Sequence, residues 1–341
     1  MNTLQSTEPI DTEKTKLMVE MAHLYYEENL TQAEIAGQLK VSKATVSRFL
    51  KDAIRKGVVE VIIHDPLSSD WGLAKALTER FGLKEAHVLA EGASDYNGLV
   101  DAVGRLAARV LKKHLRDDMT MAISLGQAVA ATVDALQISE PIHVRIASTH
   151  GQSDVDLIEG SSVLRKLAQK LGNDVRIIPS PLLLKNESIC QVIRQEHAVH
   201  EVLAIAEQAD LALVGIGAPI SEISALLLNK YVKPEDLQYL TAEGAVGDVC
   251  AVQFDADGNV LDVELNRRTV TIDIRRLREI PITIGVAAGM PKVQAILGAL
   301  HGHYVNVLVT DAGVARLLLE EGSQTFSNVA SPYLGRSGEN V

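Results

Sequence analysis

Leu30-Thr31-Gln32-Ala33-Glu34-Ile35-Ala36, continuing through Lys40-Val41-Ser42 to Lys56-Gly57, decides how the first domain is read. Thr31 stands where a helix N-cap belongs and Glu34 follows three residues later, the signature of a capping box. Ile35, Ala36 and Leu39 then give a short helix its apolar stripe. Lys40-Val41-Ser42 makes a three-residue turn, with Val41 holding the two helices together. Ser42 caps a second helix, Lys43 to Arg55, in which Val46, Leu50 and Ile54 recur at helical spacing and face inward. Its other face carries Lys43, Thr45, Ser47, Arg48, Lys51 and Arg55. Such side chains reach base edges and phosphates when a recognition helix enters the major groove. Gly57 ends the helix, and Val58 to Ile63 is β-branched, as the wing of a winged helix-turn-helix would be.

The charge supports DNA as the partner. Lys40 to Lys56 holds six basic residues and one acid, whereas residues 1–65 together hold eight basic and ten acidic. The whole chain carries −11, so an acidic body repels DNA everywhere except at this one face. Gln32, at the start of the first helix of the pair, is placed for a backbone phosphate, and Ser42 for another. Before the pair, Thr12 to Glu28 reads as a helix with Leu17, Val19, Met21, Ala22, Leu24 and Tyr25 on its apolar side.

At 341 residues the chain is too long for one ordinary core. Residues 1–65 form the winged helix-turn-helix domain. Residues 66–83 read as a linker helix, capped by Ser68-Ser69-Asp70, with Trp71, Leu73, Ala74, Leu77 and Phe81 on one side. Residues 84–341 form an effector domain. There, short apolar β-branched runs (Ala86–Leu89, Met119–Ser124, Ile142–Ser148, Val175–Ile178, Leu211–Ile216, Val249–Phe254, Ile282–Ala287, Val305–Val309) alternate with amphipathic helices. That alternation means an α/β fold with a doubly wound parallel sheet covered on both faces. The two cysteines, Cys190 and Cys250, sit in apolar stretches and suit a reduced, cytoplasmic protein. No run of about 20 apolar residues spans a membrane.

Ligands of open parallel sheets bind beyond the carboxyl ends of the strands. Those ends read Leu125-Gly126-Gln127, Thr149-His150-Gly151, Gly217-Ala218-Pro219, Gly289-Met290-Pro291-Lys292 and Thr310-Asp311, with Gly247-Asp248 preceding Val249. Glycines before helix starts leave N–H groups for an anion. Asp248 and Gln127 suit hydroxyl groups, and His150 suits an oxygen or a phosphate. A small, polar, phosphorylated ligand fits this rim. Two other classes compete. An isomerase or deaminase acting on a sugar phosphate needs an acid–base pair, for which Asp248 and His150 are the candidates. A dinucleotide site needs Gly-x-Gly-x-x-Gly, and Gly215-Ile216-Gly217-Ala218-Pro219-Ile220 lacks the third glycine. No cofactor is expected. His301-Gly302-His303 has no further ligand at metal spacing, and Asp255-Ala256-Asp257-Gly258 lacks the acceptors of a calcium loop.

The helix-turn-helix from Leu30, together with Val214-Gly215-Ile216-Gly217, Gly244-Ala245-Val246-Gly247-Asp248, Gly285 through Ile296 and Leu308-Val309-Thr310-Asp311, resembles the SorC family of sugar-responsive bacterial transcriptional regulators over roughly residues 15–320. The resemblance implies an effector domain related in fold to sugar-phosphate isomerases and deaminases. It also implies a homotetramer, or at least a dimer, whose operator affinity changes with a sugar phosphate. By motif it implies effector contacts from Gly126, Gln127, Thr149, His150, Gly151 and Asp248, with Lys292 as the phosphate partner. The Gly126-Gln127 and Ser148-Thr149-His150-Gly151 loops depart from the family's usual Gly-Thr or Gly-Arg and Gly-Gly-rich forms. An unusual effector, or an unphosphorylated polyol, is therefore open.

Overall fold

The computed structural model describes residues 12–28, 30–59, 69–90, 95–140, 142–152, 160–172 and 174–320. Most of the expected wing, residues 60–63, and the tail after Glu320 lie outside them. The chain divides between Asp65 and Pro66 into two compact units.

The first unit holds three helices, α1 (Thr12–Tyr26), α2 (Gln32–Gln38) and α3 (Lys43–Arg55). The capping box is formed: Thr31 N donates to Glu34 Oε2 at 2.8 Å and Glu34 N to Thr31 Oγ1 at 3.3 Å. Met18, Met21, Ala22, Leu24, Ile35, Val46, Phe49, Leu50 and Ala53 make one core. Two expectations are corrected here. Ile54 is 45 % exposed and Ala53 is buried in its place. At 100° per residue, Ala53 returns to within about 20° of Val46, whereas Ile54 overshoots by about 80°. In α1, Met18 is buried and Val19 exposed, the buried set running 18, 21, 22, 24 rather than through 19.

The second unit begins with α4 (Trp71–Phe81), then β1 (Glu85–Leu89), α5 (Tyr96–His114), β2 (Thr120–Ile123), α6 (Gln127–Ala135), β3 (Arg145–Ser148), α7 (Gly160–Leu171) and β4 (Val175–Arg176). It continues with α8 (Glu187–Gln195), α9 (His197–Glu207), β5 (Leu211–Gly217), α10 (Ala225–Leu228), α11 (Pro234–Ala242), β6 (Gly247–Val249), β7 (Val252–Phe254) and α12 (Glu264–Arg268). It closes with β8 (Ile282–Val286), α13 (Val293–His301), β9 (Val307–Asp311) and α14 (Ala312–Glu320). Seven strands run parallel in the order β1-β9-β8-β5-β2-β3-β4. Alternate residues of the same strands enter two different cores. Ala122, Ala212, Val214 and Leu308 pack with α4, α9, α13 and α14, while Met121, Leu211, Leu213 and Val309 pack with α5, α6 and α7. Helices therefore cover both faces, as continuous apolar strands require.

The expected linker helix is α4. Asp70 caps it, accepting from Leu73 N at 3.0 Å. Ala74 and Leu77 are buried in the same core as Val88 and Leu318, and Arg80 Nη1 donates to Leu319 O at 2.7 Å. Trp71, expected on the packed side, is 70 % exposed. The expected strand Val249–Phe254 is instead an antiparallel hairpin: β6 pairs with β7 and also with the end of β5. Its two turn residues, Cys250 (φ 51°) and Ala251 (φ 64°), are both left-handed, the geometry of a type I′ turn without the usual Asn-Gly. The amphipathic stretch Ser188–Ala206 is not one helix but breaks at Glu196 (φ −58°, ψ 133°) into α8 and α9. The α5–α6 packing is unusually close, since a Cβ on Gly104 would stand 2.6 Å from Ala131 Cβ.

Candidate functional site

On the first unit, Ser42 Oγ accepts from Thr45 N at 3.0 Å and shares a 2.8 Å hydrogen bond with Thr45 Oγ1, which starts α3 firmly. Lys43, Arg48 and Lys51 are exposed, and Gln32, Thr45 and Ser47 are half-buried. Arg55 pairs with Asp52 at 2.8 Å. Its charge is thereby offset, whereas no acid among the described residues pairs with Lys43, Arg48 or Lys51. Gln32 and Lys43 line one open hollow together with Tyr25 and Tyr26, so the starts of α2 and α3 face the same surface.

In the second unit, chain crossovers leave β2 and β5 in opposite directions, β2 toward β3 and β5 toward β8. A cavity is expected at the carboxyl ends of such a strand pair, and one is there. Ser124 ties the pair together by accepting from Gly215 N at 3.0 Å. An outer chamber of about 600 Å³ adjoins an inner recess of about 60 Å³. Gly126, Gln127 and Asp248 line both. Gly126 stands at the N-cap of α6 and no side chain caps that helix, so its first-turn N–H groups face the cavity without helical partners.

Asp248 arrives on β6 opposite Gly217. A Cβ at Gly217 would lie 2.0 Å from Asp248 Oδ1, so only glycine admits the carboxylate there. Burial pushes Asp248 up to about 6, against the opposing pull of the Lys292 ammonium and the Ala251 N–H. Burial likewise brings Lys292 down to about 8, with Asp248 pulling it back. Lys292 Nζ donates to Ile216 O at 2.6 Å. The lysine is thus hydrogen-bonded to a strand-end carbonyl and within the electrostatic reach of the Asp248 carboxylate. Tyr96, at the start of α5, closes the recess; burial, and after it the Asp311 charge, pushes its phenol up to about 12. Gly289 (φ 91°) turns the chain before Lys292, with its N–H on Asp311 Oδ2 at 2.7 Å.

His150 lines the outer chamber. Leu125 N donates to its Nε2 at 3.3 Å, which leaves the proton on Nδ1, donating to Gly151 O at 2.8 Å. This hydrogen bonding favours the neutral ring. Thr149 and Gly151, expected to touch the effector, do not line the cavity. Thr149 is fully buried, its carbonyl accepting from Ile272 N, and Gly151 is wedged against the Ser180 and Pro181 carbonyls. Their place is to hold the loop that presents His150. The cavity also collects Asp134, Lys166, Asn229 and Tyr231, none of which the sequence singled out. Tyr96 was within reach of the strand-end rule, since it opens the helix after β1. His301, by contrast, ends α13 with Nδ1 on Ala256 O at 2.7 Å. No group of three metal-binding side chains occurs among the described residues, and no described helix is long and apolar enough to cross a membrane.

The sugar-binding domain family model matches residues 65–320, and the region 4 model of sigma-70 factors matches residues 20–56. The deoxyribonucleoside regulator of Bacillus subtilis is 31 % identical over 314 residues, covering 92 % of this chain and 100 % of that one. The sorbitol operon regulator of Klebsiella pneumoniae is 31 % identical over 314 residues, covering 91 % and 99 %. The crystal structure of that full-length SorC regulator superposes with a TM-score of 0.67 over 90 % of this chain and 100 % of its own, at 32 % identity. With a helix-turn-helix at its start and this domain across the rest, the chain belongs to the SorC family of DNA-binding transcriptional regulators.

Proposed function

We propose that this regulator controls a carbohydrate or polyol catabolic operon, and that a small polyhydroxylated effector, a sugar phosphate or a polyol, switches its affinity for operator DNA. Gln32, Ser42, Lys43, Thr45, Ser47, Arg48 and Lys51 form the DNA face. Gly126, Gln127, His150, Asp248 and Lys292 form the effector set, with Thr149 and Gly151 shaping the loop beneath. One observation carries the reading: a polar cavity at the strand reversal, lined by the half-buried Asp248 and Lys292, in a chain that also bears a capped basic recognition helix.

The switch is a linkage. An effector that prefers one arrangement of a homo-oligomer shifts the spacing of paired recognition helices, and a difference of a few kcal/mol is enough. The relatives' names favour regulation over catalysis. So does the site, because His150, the candidate base, has both ring nitrogens engaged by backbone, Nε2 by Leu125 N and Nδ1 by Gly151 O. Titrating full-length protein onto its own promoter fragment, with and without sugars, tests the proposal. Arg48→Ala should weaken operator binding about tenfold or more and leave effector binding unchanged. Equal loss of both would overturn the division of labour. Turnover of a bound sugar phosphate on prolonged incubation would favour the isomerase or deaminase reading.

A further inference from the structure

The charges around the cavity cancel, and that narrows the ligand. Among the described residues, four side chains with full charges line its two parts: Asp134, Lys166, Asp248 and Lys292. Their charges sum to zero. Lys166 Nζ lies 2.5 Å from Asp134 Oδ1, and Lys292, donating to Ile216 O at 2.6 Å, feels the Asp248 charge through space. Among the described residues no arginine lines either part. His150 receives Leu125 N on Nε2 and engages Gly151 O through Nδ1.

A phosphate dianion requires the opposite inventory: surplus positive charge, and donors only, because it has no hydrogen to give. Here it would meet the Asp248 carboxylate at the mouth of the recess. The uncapped start of α6 offers about half a positive charge at most, and Asp248 lines the same space. A hydroxyl group suits this site far better. It donates to Asp248 and accepts from the Gln127 amide and the α6 N–H groups. The Val163, Leu182 and Leu226 side of the outer chamber receives C–H surface. The inner recess admits only the end of a chain.

We propose that the ligand of this cavity is an uncharged polyhydroxylated compound, a polyol or free sugar, and that phosphorylation weakens its binding. This rests on the cavity being the effector site, and the test separates the two ideas. Full-length protein is titrated calorimetrically with xylitol, sorbitol, ribose and glucose, with the matching monophosphates, and with inorganic phosphate, at two salt concentrations. Calorimetry is chosen because polyols at high concentration raise melting temperatures without a site. The expected result is saturable binding of one or more uncharged compounds, insensitive to salt. The matching phosphate should bind at least tenfold more weakly. Asp248→Asn should cut affinity at least tenfold while operator binding shows that the variant is folded. Tighter binding of a phosphate, weakening as salt rises and lost in Lys292→Met or Lys166→Met, would overturn the proposal and leave the effector site standing. Binding by no member of either series, or binding untouched by both Asp248→Asn and Gln127→Ala, would overturn the effector site itself.

Discussion

At the residue scale, Asp248 and Lys292 are kept charged at a cost to the fold. The Asp248 carboxyl titrates near 6 in place of 3.8, so stability falls as pH rises across that window. The Lys292 ammonium titrates near 8 in place of 10.5, so stability falls as pH drops through 8. Between 6 and 8 the pair is ionised and its cost is greatest. Replacing both, as in Asp248→Asn/Lys292→Met, should raise the melting temperature at pH 7 and flatten its dependence on pH in both windows. Replacing one alone leaves a buried charge without its partner and should lower it. Thermal unfolding from pH 4 to 10 checks this. Effector affinity should peak between about 6 and 8 and vanish in the double variant. Asp248 and Lys292 were legible as single residues in glycine-rich loops. Their pairing was not, because 43 residues of intervening chain say nothing about which strand ends meet. Lys166 and Asn229 were invisible for the same reason: each reaches the chamber from a helix with no motif of its own.

At the element scale, the caps were the most legible features. Thr31, Ser42 and Asp70 each bond an amide within three residues, so the sequence holds both partners. The β6–β7 hairpin was not legible, because Cys250-Ala251 lacks the Asn-Gly that advertises a type I′ turn. Each non-glycine residue held left-handed costs about 1 kcal/mol or more. Cys250→Asn/Ala251→Gly should therefore stabilise the protein by about 1 kcal/mol, measured by urea unfolding. A loss of stability would mean that the buried Cys250 thiol, which packs in the main core, outweighs the strain. The break at Glu196 was likewise hidden, since neither glycine nor proline marks it. Val199, Val202 and Leu203 pack onto the sheet while α8 buries only Cys190, and one straight helix cannot serve both.

At the scale of the whole molecule, charge is segregated along the chain: −2 over residues 1–65 and −9 over the remainder. Operator affinity should fall steeply with salt, and on the proposed DNA face Lys43→Ala should lower the log–log slope by about 1. An unchanged slope would move the contact to another side chain. The close fit of Gly104 against Ala131 carries a mechanical consequence. It clasps α5 to α6 backbone to backbone, so the two helices must tilt as one stiff beam. One end of that beam is the cavity, where Tyr96 and Gln127 stand. The other, 19 residues along α5 and about 28 Å away, is where Lys113 and His114 grip Glu85 on the edge strand β1. A ligand that nudges the near end thus has a ready-made pivot through which to disturb the sheet's rim.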